Sequence, residues 1–255
     1  MTEVSVIMPN YNGSAYIAQA IESVVKQDFQ DWELLICDDC STDNSIEIIS
    51  NYLNDPRIKL LRKNTNMGVA HARNHAIAEA KGRYIAFLDH DDFWYEHKLS
   101  IQLEYMRRNK LDISYTNFDL MPEGEQKLFL IRSPKTIDYK KLLKGYRFGI
   151  NTLIMSSAVI SGTPFKQQEM EDFIFYLEVL KKGHIAYGID STQACTRLCK
   201  KSRSSNKLLM ICTMWKIFRR NEKMNFFKAA YYFSFYIAVM LKKYARLLLK
   251  VTRLR

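Results

Sequence analysis

Three carboxylates stand within four residues, directly after a short apolar run. The run, Tyr84–Leu88, is rich in aromatic and branched residues and predicts a strand buried on both faces. Asp89, Asp91 and Asp92 follow it, and crowded carboxylates repel one another unless a cation or hydrogen bonds offset the repulsion. Asp89 and Asp91 would point to the same side of an extended chain. The pair could therefore supply oxygen ligands to a hard divalent cation.

The same carboxylates also fit a simpler role. Aspartate is favoured at helix N-termini and in strand-to-helix loops, and a helix is predicted to begin near Glu96. In this alternative the three carboxylates cap that helix and face water.

Strands and helices alternate before this loop. Strands are predicted at Val4–Met8, Glu33–Cys37, Arg57–Leu61 and Tyr84–Leu88, and helices at Ser14–Lys26, from Ser41–Asp43 to Leu53, and at Gly68–Ala80. Short connections imply right-handed crossovers and an α/β fold with a mainly parallel sheet flanked by helices. Ligands of such sheets lie beyond the carboxyl ends of the strands. The polar loops Pro9–Gly13, Asp38–Asp43 and Asp89–Asp92 are expected to meet at that edge, which favours a functional role.

The chain after Asp92 is less regular. A helix to about Arg108 and a strand at Ile113–Phe118 are followed by short strands at Lys127–Ile131 and Thr152–Met155, a small helix at Tyr139–Leu143 and a helix at Glu169–Lys182. Irregular segments of this kind are typical of a surface that recognises one particular ligand. Glu171 and Asp172 lie at the first turn of the last helix, where acidic residues are also favoured by the helix dipole.

The net charge of +11 is concentrated in the last 60 residues. Residues 1–195 hold 22 Lys and Arg against 26 Asp and Glu, whereas residues 196–255 hold 16 against Glu222 alone. In this tail, cation clusters such as Lys200-Lys201 alternate with aromatic and aliphatic blocks. The longest uncharged block, Ala229–Leu241, falls short of the roughly 18 to 20 residues that span a bilayer.

Two interpretations of the basic tail remain open. Aromatic residues beside Lys and Arg suit an interfacial helix on an anionic membrane, which is the partner we expect for residues 200–255. Alternatively, the tail helices pack their apolar faces on the main domain and keep their cations in water. Nucleic acid is not an expected partner, because no recognisable nucleic-acid-binding module is present.

The cysteine content and the missing glycine motifs argue against several classes of site. Five Cys in 255 residues and no secretory signal before Val4 favour reduced thiols in the cytoplasm. Cys37-x-x-Cys40 and Cys195-x3-Cys199 are weak zinc or redox candidates, because no His or further Cys repeats the spacing nearby. The chain also lacks the glycine motifs of dinucleotide-binding proteins and P-loop ATPases.

Five segments, in order and spacing, resemble glycosyltransferase family 2 over about residues 3–190. They are Val4–Asn12, Asp38–Asp43, Asn66–Asn74, Leu88–Asp92 with its Asp-x-Asp pattern, and Glu171-Asp172. The resemblance implies the GT-A fold for nucleotide sugars, here with a basic helical C-terminal tail, and inversion at the anomeric carbon. No one of these segments is diagnostic alone, but their shared order is specific.

The resemblance implies a nucleotide pocket built from the first half of the chain. Pro9 and Tyr11 would flank the nucleobase, and Asp39, with Asp38 beside it, would accept a hydrogen bond from a uracil ring. Arg73 is similar to the basic residue of the family's pocket, and Asp89 would approach the ribose.

The resemblance also implies the catalytic groups. Asp91 would hold a Mg or Mn ion with Asp92 in support, and Asp172, beside Glu171, matches the general base. His90 lies at a variable position and is expected to face solvent or form a hydrogen bond.

Two positions depart from the family pattern. Cys40 stands where the family usually has glycine, and a side chain there could narrow the turn or alter the ribose pocket. In Arg197-Leu198-Cys199 a cysteine replaces a common histidine, so no metal or phosphate role is assigned to Cys199.

The sequence therefore predicts an inverting, metal-dependent glycosyltransferase. We expect it to move a sugar from a UDP-linked donor to a hydroxyl of a lipid-linked glycan in bacterial O-antigen, capsule or exopolysaccharide synthesis, on the inner face of the cell membrane. Residues 1–195 would form the catalytic domain, with a nucleotide-binding half at 1–118 and an acceptor-binding half at 119–195, and residues 196–255 the tail. The alternatives are a nucleotide-binding protein without turnover and a basic membrane adaptor.

Overall fold

Ten strands form one mixed sheet in the residues that the structure describes. The computed structural model describes residues 2–122, 128–198 and 207–252, with the backbone alone for 207–208 and 243–252. The strands are β1 (Val4–Asn10), β2 (Trp32–Asp38), β3 (Ile58–Arg62), β4 (Tyr84–Phe87), β5 (Phe93–Trp94), β6 (Ile113–Pro122), β7 (Phe129–Ile131), β8 (Thr136–Ile137), β9 (Ile154–Ser156) and β10 (Ala186–Leu198). Their order is β3-β2-β1-β4-β9-β6-β10-β5, with β7 on β6 and β8 on β10.

Helices cover both faces of this sheet. They are α1 (Ile17–Val25), α2 (Ser45–Ser50), α3 (Val69–Glu79), α4 (Lys98–Asn109), α5 (Tyr139–Leu143), α6 (Ser157–Ile160), α7 (Glu171–Lys181), α8 (Lys207–Lys216) and α9 (Phe226–Thr252). Alternate residues of β1 enter different cores, because successive side chains of a strand point to opposite faces. Val6 packs in the core that contains α1 residues, and Ile7 packs in the core that contains α3 and α7 residues.

The parallel strands β1, β2, β3 and β4 confirm the predicted α/β arrangement of the first half. The second half adds antiparallel pairs, because β9 lies between β4 and β6 and runs against both. A short helical turn (Ile150–Thr152) precedes β9, where the sequence predicts strand from Thr152. Lys127, the first residue of another predicted strand, lies outside the described residues.

Sequence reasoning missed the longest strand, β10. It pairs in parallel with β6, and their register shifts between Ile189 and Thr192 and again between Thr192 and Ala194. Such irregularities break the two-residue alternation by which a strand is recognised in a sequence. The predicted domain boundary at residue 195 falls inside this strand.

The described part of the tail packs on the main domain. α8 continues into a π-helical turn (Ile217–Asn221), and Met214, Phe218, Ala229 and Tyr236 join the core that contains α7 residues. The alternative in which apolar faces of the tail pack on the domain is therefore observed for these residues. Within the described residues, no helix is both long and apolar enough to cross a membrane. Lys200-Lys201 and Cys199 lie outside the described residues.

Glu222, the single acidic residue of the tail, joins it to α5 and α7. Its Oε2 accepts hydrogen bonds from Tyr139 Oη and from Lys181 Nζ, the latter at 2.8 Å. The Glu222 side chain is only 5% exposed, whereas that of Lys181 is 53% exposed, so the carboxylate is shielded from water and the ammonium group is not.

We expect Glu222→Gln to lower the free energy of unfolding by about 1–3 kcal/mol, because the shielded carboxylate loses its charge and with it the charge-assisted hydrogen bonds from Tyr139 and Lys181. Urea denaturation measures the change. Glu22→Gln is the matched control: its salt bridge with Lys26 is exposed, so a change below about 0.5 kcal/mol is expected. Equal changes in the two variants would show that Glu222 does not anchor the tail.

Candidate active site

The polar loops predicted to meet at the carboxyl edge of the sheet do so. Asn10 at the end of β1 is in register with Asp38 at the end of β2, and β4 lies on the other side of β1. His90, in the carboxylate loop (Asp89–Asp92), lies with Nδ1 3.3 Å from the Pro9 carbonyl oxygen, which confirms its predicted hydrogen-bonded role. The loops after β1, β2 and β4 therefore form one polar edge, as in other open α/β sheets.

The carboxylate loop turns instead of staying extended. The Asp92 N–H donates to the Asp89 carbonyl oxygen at 3.1 Å, so the extended backbone on which the predicted same-side pairing of Asp89 and Asp91 depended is not formed. The helix-capping alternative is wrong as well. α4 begins at Lys98, its N-cap is His97, and no side chain caps it.

Asp92 holds the carboxylate loop against the second half of the sheet. Its Oδ1 accepts the backbone N–H of Arg197 at 3.0 Å, and its Oδ2 accepts the side-chain amide of Asn151 at 2.8 Å. Burial, followed by the charges of Asp91 and Asp89, raises the pKa of Asp92 well above its usual value. The carboxyl group is therefore buried and holds the loop in place.

Asp91 is partly buried and lies beside another carboxylate. Burial, and then the charge of Asp89, raises the pKa of Asp91. The backbone carbonyl of Asp91 accepts a hydrogen bond from the Arg197 guanidinium at 2.5 Å, which fixes the loop without using the Asp91 carboxylate. A nearby cation would offset the repulsion that raises this pKa.

The residues present fit a bound divalent ion. Within the described residues, no three His, Cys, Asp or Glu side chains are grouped to hold a metal. Mg²⁺ in phosphate sites needs fewer protein ligands than that, because one or two carboxylates bind it together with substrate phosphates and water. Asp91, with Asp89 beside it, offers that kind of oxygen donor set.

Arg73 links the carboxylate loop to α7. Its guanidinium is paired with Asp89 at 2.7 Å and with Glu171 at 3.1 Å, and its side chain is 3% exposed. Burial alone would lower the pKa of Arg73, but the charges of Asp89 and Glu171 outweigh it and raise the pKa. The planar guanidinium thus spans two halves of the chain through two ion pairs.

Asp172 lies in the first turn of α7, one residue after Glu171. Burial, and then the charge of Glu171, raises the pKa of Asp172, while Arg147 and Arg73 oppose the rise. The N-cap of α7 is Met170 and no side-chain cap is formed, so Asp172 does not act as the N-cap. Its Oδ1 accepts the N–H of Phe173 at 2.7 Å. A carboxylate with a raised pKa is a stronger base than an exposed aspartate.

Asp38 and Asp39 are both buried and hold the loops around them. Asp38 accepts the Asn10 side-chain amide at 2.7 Å, whereas Asp39 accepts the backbone N–H groups of Met67 and Gly68 at 3.0 and 2.5 Å. Pro9 is buried in β1. Tyr11, in contrast, is 45% exposed and accessible for contact with a ligand.

The Cys40 turn explains why glycine suits this position. Cys40 has φ +66°, in the left-handed region where glycine carries no Cβ penalty. Its Sγ lies 3.6 Å from the Asn64 carbonyl oxygen.

The structure gives no support to the zinc and redox alternatives for the cysteine pairs. Cys37 and Cys195 are buried free thiols, and burial raises their pKa values to about 11 and about 12.

Sequence reasoning missed two residues that position the carboxylate loop. Asn151 donates to Asp92 and to Thr196 Oγ1, both at 2.8 Å, and Arg197 contacts the loop through both its backbone and its side chain. Asn151 lies in an irregular segment with no motif. Arg197 stands in the Arg-x-Cys segment, whose role became visible only when β10 placed it beside the loop.

The comparisons with known proteins show the family of the chain. A family model described as "Glycosyl transferase family 2" matches residues 5–161. The putative teichuronic acid biosynthesis glycosyltransferase TuaG of Bacillus subtilis (strain 168) is 37% identical over 243 residues, 94% of this chain and 96% of TuaG. The Escherichia coli protein WfgD, named UDP-Glc:alpha-D-GlcNAc-diphosphoundecaprenol beta-1,3-glucosyltransferase, is 36% identical over 244 residues, 95% of each chain.

A solved structure confirms the predicted GT-A fold. S. aureus TarS 1–349, in complex with UDP-GlcNAc, matches with a TM-score of 0.71 at 21% identity. The match covers 85% of this chain and 64% of the TarS chain, so this chain spans less than two-thirds of that structure.

We expect Arg73→Met to lower the free energy of unfolding by about 3–5 kcal/mol, because it leaves the Glu171 carboxylate buried without this partner. Chemical denaturation measures the loss. Arg132→Met, which removes an exposed ion pair with Asp190, is the control and should change stability by less than about 1 kcal/mol. A small loss in Arg73→Met would contradict a linking role for the guanidinium.

Proposed function

Because the chain belongs to glycosyltransferase family 2, we propose that this glycosyltransferase moves a sugar from a UDP-linked donor to a hydroxyl of a lipid-linked glycan, with inversion at the anomeric carbon. The product would enter a bacterial surface polysaccharide such as O-antigen, capsule or exopolysaccharide. One observation carries the proposal: Arg73 ties Asp89 of the carboxylate loop to Glu171, the neighbour of Asp172. The donor-side and acceptor-side carboxylates therefore belong to one connected site.

The donor side would use residues of the first half. Tyr11 is exposed at the polar edge, Pro9 lies just before it near the end of β1, and Asp39 directly follows β2. Each oxygen of a carboxylate has two lone pairs, so Asp39 can accept a uracil N–H besides the backbone N–H groups that it already binds. UDP as the nucleotide is also supported by WfgD, which is named for UDP-Glc, and by the TarS complex with UDP-GlcNAc.

Asp91 would hold the Mg or Mn ion, with Asp89 beside it toward the ribose. When bound, the cation supplies Lewis-acid stabilisation of the negative charge that grows on the departing diphosphate. The protein's own contribution is to keep the carboxylate loop in place. Arg197 binds the Asp91 carbonyl, while Asn151 and the Arg197 N–H bind Asp92.

Asp172 would act as the general base. An acceptor hydroxyl must lose its proton as its oxygen attacks the anomeric carbon, and a carboxylate within hydrogen-bond reach can take that proton. The raised pKa of Asp172, caused by burial and by Glu171, increases its proton affinity. Because the base does not itself attack the sugar, a single displacement occurs and the configuration inverts.

The acceptor side would be built by the second half of the domain. A lipid-linked acceptor is supported by the name of WfgD, whose acceptor is a diphosphoundecaprenol-linked sugar, and it would place the enzyme at the inner face of the cell membrane. Residues 119–195 contribute α7 with Asp172 to the acceptor side, while Asn151 of the same half supports the carboxylate loop on the donor side.

A donor screen tests the proposal as a whole. Purified protein is incubated with UDP-, GDP- and dTDP-linked sugars in the presence of Mg²⁺ or Mn²⁺, and release of the nucleoside diphosphate is measured. UDP release from one of the UDP-sugars supports the proposal. Binding of UDP without release from any donor, with or without lipid-linked acceptors, would instead indicate a nucleotide-binding protein.

We expect Asp172→Asn to lower kcat for transfer by about 10²- to 10⁴-fold, because the acceptor hydroxyl loses its proton acceptor. UDP affinity, measured by calorimetry, should change by less than about twofold, since Asp172 lies outside the nucleotide loops. Glu169→Gln is the control, because Glu169 is exposed and precedes α7. Normal transfer by the Asp172→Asn protein would refute the assignment of the base.

We expect Asp91→Ala to abolish the stimulation of turnover by Mn²⁺ or Mg²⁺, because the proposed metal carboxylate is gone. Calorimetric titration of Mn²⁺ into the UDP-bound protein gives an independent measure, and the affinity for the metal should fall at least tenfold. Asp31→Ala removes an exposed carboxylate and should leave both measurements unchanged. Retained metal affinity in the Asp91 variant would exclude Asp91 as the ligand.

A further inference from the structure

The outward face of α9 is apolar and aromatic, although it is exposed. Four large apolar side chains on it are well exposed: Phe227 (82%), Tyr231 (52%), Phe235 (38%) and Leu241 (60%). Spacings of four residues place Phe227, Tyr231 and Phe235 on one side of the helix, and Ala238 and Leu241 continue that side. From Phe227 to Leu241 the row is about 21 Å long at 1.5 Å per residue. We name these five residues the outward row.

The opposite face of α9 is already occupied. Ala229 and Tyr236 are buried in the core that contains α7 residues, and Phe233 packs against that core. Trp215 of α8 makes an edge contact with Phe233, at 5.3 Å between ring centroids. Core packing therefore explains one side of the helix and leaves the outward row without an explanation. A helix that is apolar on all sides is typical of burial on both sides or of contact with lipid.

Cations surround the outward row. Lys228 and Lys242 are exposed near its two ends on the same side of α9, and Lys144 Nζ lies 4.9 Å from the centre of the Phe235 ring. Lys216, Arg219 and Arg220 are also exposed at the end of α8 and in the π-helical turn. Glu222 is the only acidic residue from 196 onward, and it faces Tyr139 and Lys181 in the domain. The exposed charge around the row is therefore positive.

We propose that the outward row of α9 is a membrane-docking face that inserts its aromatic side chains among the headgroups of an anionic bilayer. The flanking lysines and arginines would pair with lipid phosphates, and the helix would lie in the plane of the interface. The inference extends the proposed function and rests on it for its purpose, since a lipid-linked acceptor is presented at a membrane. The core face of α9 would then fix the catalytic domain to that surface.

The distribution of charge favours an anionic bilayer as the partner of the outward row over a second copy of the chain or nucleic acid. A two-fold dimer through the outward row would bring two copies of the same lysine-flanked face together, which like-charge repulsion opposes. Nucleic-acid binding draws most of its affinity from phosphate contacts along a cationic track. The outward row instead presents a continuous apolar strip with cations at its margins, as an interfacial helix does.

Vesicle binding tests the proposal with the full-length protein. Sedimentation is measured with vesicles of phosphatidylcholine alone and with vesicles that also contain phosphatidylglycerol. We expect binding to the anionic vesicles only, and the double variant Phe227→Ser with Phe235→Ser should bind them at least about tenfold more weakly. The double variant Lys228→Glu with Lys242→Glu should bind the anionic vesicles more weakly. Its residual binding should also depend less on salt concentration.

The matched control is Leu53→Ser with Ile185→Ser, which removes two exposed apolar side chains outside the tail. It should bind anionic vesicles as the unaltered protein does. Because Phe227 and Phe235 are exposed, their variant should keep the far-ultraviolet circular dichroism spectrum and the thermal midpoint of the unaltered protein.

Several outcomes would overturn the docking face. They are no binding to anionic vesicles, equal binding by the Phe227/Phe235 variant and the control, and a Phe227/Phe235 variant that loses self-association, seen by analytical ultracentrifugation, but keeps vesicle binding. Loss of nucleic-acid binding alone would likewise overturn it. UDP release from a soluble donor, measured without vesicles, is a separate readout and should be unchanged in the Phe227/Phe235 variant. Failure of the docking face and failure of the proposed transfer are therefore distinguished.

Discussion

The site depends on a buried ion-pair arrangement centred on Arg73. Its guanidinium contacts Asp89 at 2.7 Å and Glu171 at 3.1 Å, so it joins the loop after β4 to the first turn of α7, although Asp89 and Glu171 are 82 positions apart in the chain. A buried charge is costly without a partner, and here the buried charges of Arg73 and Glu171 offset each other while the partly exposed Asp89 adds a second ion pair. The positions of the donor side and the acceptor side are therefore coupled by electrostatics.

The second half of the sheet then holds the carboxylate loop from the other side. Asp92 is buried, and its two oxygens are satisfied by Asn151 and by the backbone of Arg197. The side chain of Arg197 also binds the Asp91 carbonyl, which leaves the Asp91 carboxylate uncommitted to these contacts. Support of this kind restrains a crowded group of acids so that repulsion does not open the loop. The loop is thus preorganised by parts of the chain that carry no recognisable motif.

The tail has two faces with different physical roles. Its inner face belongs to the domain core, and Glu222 anchors it through Tyr139 and Lys181. Its outer face keeps large aromatic side chains in solvent beside lysines. Sequence composition suggested core packing and membrane contact as alternatives, yet a helix has two sides, and one side can pack while the other remains free for a partner.

The sequence by itself determined three features. They are the order of strands and helices in the first half, the meeting of three polar loops at one edge of the sheet, and the family. These features follow from local patterns: apolar runs, helical spacing and short motifs of fixed order. The tertiary structure alone decided that Asp92 rests on Asn151, that Arg197 reaches the Asp91 carbonyl, and that β10 exists beside β6. Those contacts join residues about 60 to 105 positions apart, or occur in a strand whose register shifts hide its periodicity. No local pattern encodes such a meeting, because it depends on how the whole chain closes around its core.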